Sequence, residues 1–78
     1  MTRQEKLLER IRSNPKQVRF QHLEKIIIDR GFVIFNQRGS HITYHHKDGR
    51  LLTVVKPHGG RTHCHPKDVH KVLELLEL

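Results

Sequence analysis

His41 opens a short segment that fixes it in space on a cationic surface. Arg38-Gly39-Ser40-His41-Ile42-Thr43-Tyr44-His45-His46-Lys47-Asp48-Gly49-Arg50 reads as a tight turn, a short strand and a second tight turn. Gly39 and Gly49 supply the bends, and Asp48-Gly49 is a strong hairpin signal. Along the strand His41, Thr43 and His45 share one face, while Ile42, Tyr44 and His46 share the other. Histidine changes its charge near neutral pH, so it can take and give protons there. One reaction suited to such a group is the cleavage of RNA, which carries its own nucleophile in the 2′-hydroxyl. That reaction needs a base for the hydroxyl proton, cations for the charge on the phosphate oxygens, and an acid for the leaving oxygen. His41 is the candidate base, and Arg38, Lys47 and Arg50 are candidates to hold phosphates. No metal or other cofactor is required in principle.

The other chemically capable residues are less well placed. His58 lies in a glycine-rich loop, where it contacts RNA, serves as the second proton-transfer group, or packs the end of a strand. His45 and His46 line a strand, and His22 and His70 flank helices, so these four carry no expected chemistry. His63, Cys64 and His65 offer soft metal ligands, but adjacent residues point in different directions and no second pair stands at zinc spacing. Cys64 is the only cysteine, which rules out an internal disulfide, and no acid–base partner is arranged around it in sequence.

Positioning these groups falls to one domain with a modest core, since the chain has 78 residues and 35% hydrophobic content. Fifteen Lys and Arg against eight Asp and Glu give a formal charge of +7. The basic residues are spread along the chain, which points to a polyanionic partner such as nucleic acid. The longest apolar runs, Ile26-Ile27-Ile28 and Phe32-Val33-Ile34-Phe35, are far too short for a membrane span. The N-terminus lacks the apolar region of a signal peptide, so a cytoplasmic protein is expected.

Thr2-Arg3-Gln4-Glu5 has the capping-box pattern, and Leu7, Leu8 and Ile11 follow at helical spacing until Ser13-Asn14-Pro15. Phe20, Leu23, Ile26 and Ile27 predict a second helix that ends at Gly31, with no strong N-cap. Ile28 lies off its main stripe, so the first helix is expected to cover a second side. Phe32–Gln37, residues 41–46 and Leu51–Val55 predict three strands joined by the turns at Arg38-Gly39-Ser40 and Asp48-Gly49. The result is an antiparallel meander. Lys56 to His65 is a loop carrying Pro57 and Gly59-Gly60. Pro66 and Asp68 suit the first turn of a last helix, whose stripe is Val69, Val72, Leu73 and Leu76. The expected fold is α+β, an α-β-β-β-α unit over residues 16–78 with a helical extension over residues 1–15. Both helices of the unit lie on one sheet face.

That order is the arrangement of double-stranded RNA-binding domains. The run Gly31-Phe32, Gly39-Ser40-His41, Pro57-His58-Gly59 and Pro66 opening a Val/Leu helix also resembles the HicA toxins of bacterial toxin–antitoxin pairs, over about residues 18 to 76. The resemblance implies a small ribonuclease that cuts messenger RNA and is held inactive by a HicB-type antitoxin. It maps the family's catalytic histidine onto His41. The expected RNA-binding set is then Arg38, Gly39, Ser40, Lys47, Arg50, Lys56, His58 and Arg61. Two departures stand out: a helix over residues 1 to 15 that shorter members lack, and the histidine-rich Thr62-His63-Cys64-His65. The alternative is a non-catalytic RNA-binding module of the same shape, gripping A-form backbone. A base at position 41 favours the enzyme, because Lys or Arg would serve phosphate contact better. A structural partner of an acidic protein would account for the charge but not for the histidine beside the turn.

Overall fold

The structure, a computed structural model, describes residues 2–76. Helix α1 spans Arg3–Ser13 and starts on the capping box, with the Thr2 and Glu5 side chains each bonded to the other's backbone N–H. A 3₁₀ turn at Pro15–Gln17 leads to α2 at Phe20–Asp29. Strands β1 (Phe32–Arg38), β2 (His41–His46) and β3 (Leu51–Val55) follow, and α3 runs over Pro66–Leu75. The sheet is an antiparallel meander in the order β1-β2-β3. This is an open three-stranded α+β fold of the double-stranded RNA-binding type, with one helix added in front.

The helices cover one sheet face only. Leu23 and Ile27 of α2 and Val69 and Val72 of α3 are buried against Phe32, Ile42, Tyr44, Leu52 and Val54 of the sheet. Burial of these side chains at about 25 cal/mol per Å² of apolar surface is the main stabilising term. Ile11 of α1 joins the same core, and Leu7 and Leu8 pack at its margin. The first helix covers α2 along its Ile26 side, where Leu8 and Ile26 share a small hollow. Ile28 stays 43% exposed, so the expected second covering does not reach it. No side chain caps the start of α2 at Arg19, in keeping with the weak signal in the sequence.

Strand β1 runs one residue further than its sequence suggested, and a β-bulge is the reason. Ile34 pairs with Tyr44 and Asn36 with Thr43, which leaves Phe35 as the extra residue. The register beyond it shifts by one, so Arg38 pairs with His41 and only Gly39-Ser40 forms the turn. Gly39 takes φ +56°, which a tight two-residue turn requires of its first position. Gly31, between α2 and β1, is held more tightly. Its φ is +94°, and a Cβ there would lie 2.9 Å from His46 Nε2.

Candidate functional site

The strand register places His41 at one end of the uncovered sheet face. Its cross-strand partners are Arg38 on β1 and Val55 on β3. Directly opposed residues in an antiparallel pair share a face, so Arg38 and His41 project to the same side. Both are exposed. The face continues through Thr43, whose hydroxyl bonds that of Thr53 at 3.1 Å, to His45, whose ring lies 5.8 Å from that of Phe35.

The loop after β3 is stitched to this end of the sheet. The Lys56 N–H donates to the Ser40 carbonyl at 2.7 Å, which ties the loop to the turn preceding His41. Lys56, His58 and Arg61 therefore stand on a segment anchored beside the His41 turn, and all three are exposed. The Val55 N–H on β3 is taken by Asp68 Oδ2 at 3.1 Å, so the first turn of α3 seals that edge. Asp68 also lies 3.6 Å from Lys71.

Lys47 and Arg50 sit elsewhere. They lie at the opposite end of β2, about 17–20 Å from His41 at the usual rise per strand residue. Arg50 turns toward the covered side of the sheet. Its guanidinium pairs with Asp48 at 2.8 Å, donates to the Leu75 carbonyl at 3.0 Å and lies over the Phe32 ring at 5.2 Å. The Arg50 backbone N–H, its guanidinium and His46 hold the Asp48 carboxyl below the usual carboxylate range, the backbone bond contributing most. The structure thus brings together Arg38, Gly39, Ser40, His41, Lys56, His58 and Arg61, and leaves Lys47 and Arg50 apart from them.

The histidine-rich tail divides by alternation. Cys64 points into the core, and burial, reinforced by the Asp68 charge, pushes its thiol up to about 11. Such a thiol is a poor nucleophile near neutrality. His63 and His65 point outward on either side of it. Tyr44 is fully buried and donates its hydroxyl to Glu24, and burial followed by the Glu24 carboxylate raises its pKa above the ordinary range.

Sequence reasoning missed the apolar part of this surface. Val33, Phe35 and Leu51 are 57%, 67% and 59% exposed. Val33 and Leu51 both pair with His45, so they share its face. The run Phe32-Val33-Ile34-Phe35 reads only as a strand in the sequence, and in the fold Phe32 alone of the four is buried. No described helix is long and apolar enough to cross a membrane.

No curated protein and no solved structure gives a significant match to the chain. The family model described as HicA toxin of bacterial toxin-antitoxin matches residues 20–74, from the first residue of α2 nearly to the end of α3. The matched span holds the whole sheet, the His41 turn and the loop stitched to it, and the chain belongs to the HicA family of toxins from bacterial toxin–antitoxin systems.

Proposed function

We propose that this toxin is an endoribonuclease that cleaves messenger RNA with His41 as general base, and that a HicB-type antitoxin holds it inactive in the cytoplasm. The observation that carries the reading is the direct pairing of Arg38 with His41 on the exposed sheet face. It sets a proton acceptor beside a fixed cation, the two groups that attack by a 2′-hydroxyl requires.

In the reaction, the 2′-oxygen attacks the adjacent phosphorus while its proton passes to a ring nitrogen of His41. Arg38 neutralises the charge gathering on the phosphate oxygens. The bond from phosphorus to the 5′-oxygen breaks, and that oxygen takes a proton from an acid, leaving a 2′,3′-cyclic phosphate and a 5′-hydroxyl. His58, on the loop tied to the turn, is the candidate acid. Because the nucleophile belongs to the RNA, the step needs no metal to generate it. The backbone of Gly39 and Ser40 lets the strand approach, and Lys56 and Arg61 hold neighbouring phosphates. The antitoxin contact draws support from the apolar side chains Val33, Phe35 and Leu51 on the same face, and from a charge of +7 that an acidic protein would complement.

The test is expression without antitoxin. The parent should arrest growth, and His41→Ala should not, with unchanged circular dichroism. Purified His41→Ala should bind RNA like the parent and cleave it about 10²–10⁴-fold more slowly. Co-expression of an acidic protein encoded by the neighbouring reading frame should restore growth and co-purify with the toxin. If folded His41→Ala arrests growth and cleaves like the parent, the base lies elsewhere and His58 is the next residue to change. A parent that binds RNA without cutting it would instead be a binding module.

A further inference from the structure

The loop between β3 and α3 builds a second feature beside the His41 end of the sheet. It is held at both ends, by the Lys56 N–H on the Ser40 carbonyl and by the Cys64 N–H on the Val18 carbonyl, each at 2.7 Å. A backbone bridge from His63 to Arg19 adds a further tie. Between these anchors lies a hollow of about 50 Å³ whose lining includes Lys56, His58, Arg61, His63 and His65. Val55, the cross-strand partner of His41, forms part of its wall. A wider hollow beside it shares Lys56 and Arg61 and adds Arg19. Among the described residues, neither lining contains a carboxylate. The nearest acid on α3, Asp68, is engaged by the Val55 N–H and lies beside Lys71.

The hydrogen bonds also orient the imidazoles. His65 Nδ1 accepts the Lys67 N–H at 3.1 Å as the cap of α3. In the neutral ring the proton therefore sits on Nε2, which is left as a donor. His63 Nδ1 is paired with the Thr62 hydroxyl at 3.1 Å. Two permanent cations and three imidazoles thus converge on one small space.

We propose that this hollow is a phosphate subsite, which takes a phosphate of the RNA strand next to the cleaved linkage and grips it more tightly as His58 and His63 gain protons. The proposal rests on the reading of the His41 face as an RNA site. Lys56 and Arg61 supply charge at every pH, His65 offers its Nε2–H while its Nδ1 caps α3, and His58 and His63 add donors and charge when protonated. Around the hollow, Arg19 and Lys67 are further cations, and Asp68 is the carboxylate that α3 brings close.

The test is the affinity for a short 2′-O-methyl RNA, which lacks the attacking hydroxyl and stays intact. It is measured at about pH 6 and about pH 8 at one ionic strength. The parent should bind about tenfold more tightly at the lower pH. The double variant His63→Gln, His65→Asn keeps an acceptor for the Lys67 N–H, and its gain should fall to about twofold or less. A double variant that binds with the parent's full gain overturns the subsite and leaves the His41 reading standing. A parent that binds this RNA at neither pH overturns the His41 reading as well. Ring resonances of His63 and His65 that respond to inorganic phosphate but not to the RNA would make the hollow an anion site unrelated to the substrate, and that too overturns the proposal.

Discussion

Two arginines at the turns of one strand have different fates, set by what each can reach. Arg38 projects to the open face opposite His41 and is exposed there. Arg50 lies over Phe32 and bonds the last turn of α3. Arg38→Ala should weaken RNA binding and cleavage together and leave the urea midpoint nearly unchanged. Arg50→Ala should lower stability by about 1 kcal/mol, from the lost carbonyl bond and cation–π contact, with RNA affinity held within about twofold. Equal losses of RNA affinity in the two variants would place Arg50 in the binding surface. Cys64 offers a second check at this scale. Burial raises its thiol from 9.0 to about 11. A raised folded-state value gives stability that is whole below the unfolded value and lost as the pH climbs through the folded one. Stability should therefore decline between about pH 9 and 11, and part of that decline should vanish in Cys64→Ala. Native protein should resist alkylation at pH 8; rapid modification there would show that the thiol is not enclosed.

At the scale of elements, the junction between α2 and β1 holds the most tightly enclosed of the glycines. Helix α2 must end and reverse within Arg30-Gly31 so that Phe32 can enter the core. Gly31 does this at φ +94°, beneath the His46 ring that also lies against Phe32. Gly31→Ala meets both the backbone strain and the ring, and should cost about 2 kcal/mol or more. Gly39→Ala meets open space, so only its positive φ opposes it, and about 1 kcal/mol is expected. Urea unfolding of the two variants gives the comparison, and a larger loss at Gly39 would contradict the packing around His46. The β-bulge at Phe35 is the second decisive element feature. Without it Gln37, rather than Arg38, would stand across from His41.

For the whole molecule, the governing facts are a charge of +7 and a sheet covered on one side. The cations at the His41 end, Arg38, Lys56 and Arg61, allow about three phosphate contacts, so log K for single-stranded RNA should fall with log salt at a slope of about −2. Arg38→Glu should make the slope shallower, and a salt-independent affinity would exclude this surface. The bare apolar residues Val33, Phe35 and Leu51 form the one part of the face that charge does not explain. They suit a partner protein that excludes water from the same face the RNA would use.

The sequence alone determined the order of elements, the two turns, the meander and the stripe of core residues. Each follows from local chemistry: apolar spacing, glycine at positive φ, a capping box, and proline at the first turn of α3. It also singled out His41 and the HicA motif, because those signals are short runs of residues at fixed spacings along the chain. The tertiary structure decided what stands beside His41. The bulge that aligns Arg38, the bond from Lys56 to Ser40, the inward turn of Arg50 and the gathering of His58, His63 and His65 all depend on pairings between distant residues. Such pairings are selected by register and by competition for hydrogen-bond partners across the whole fold, which no local pattern encodes.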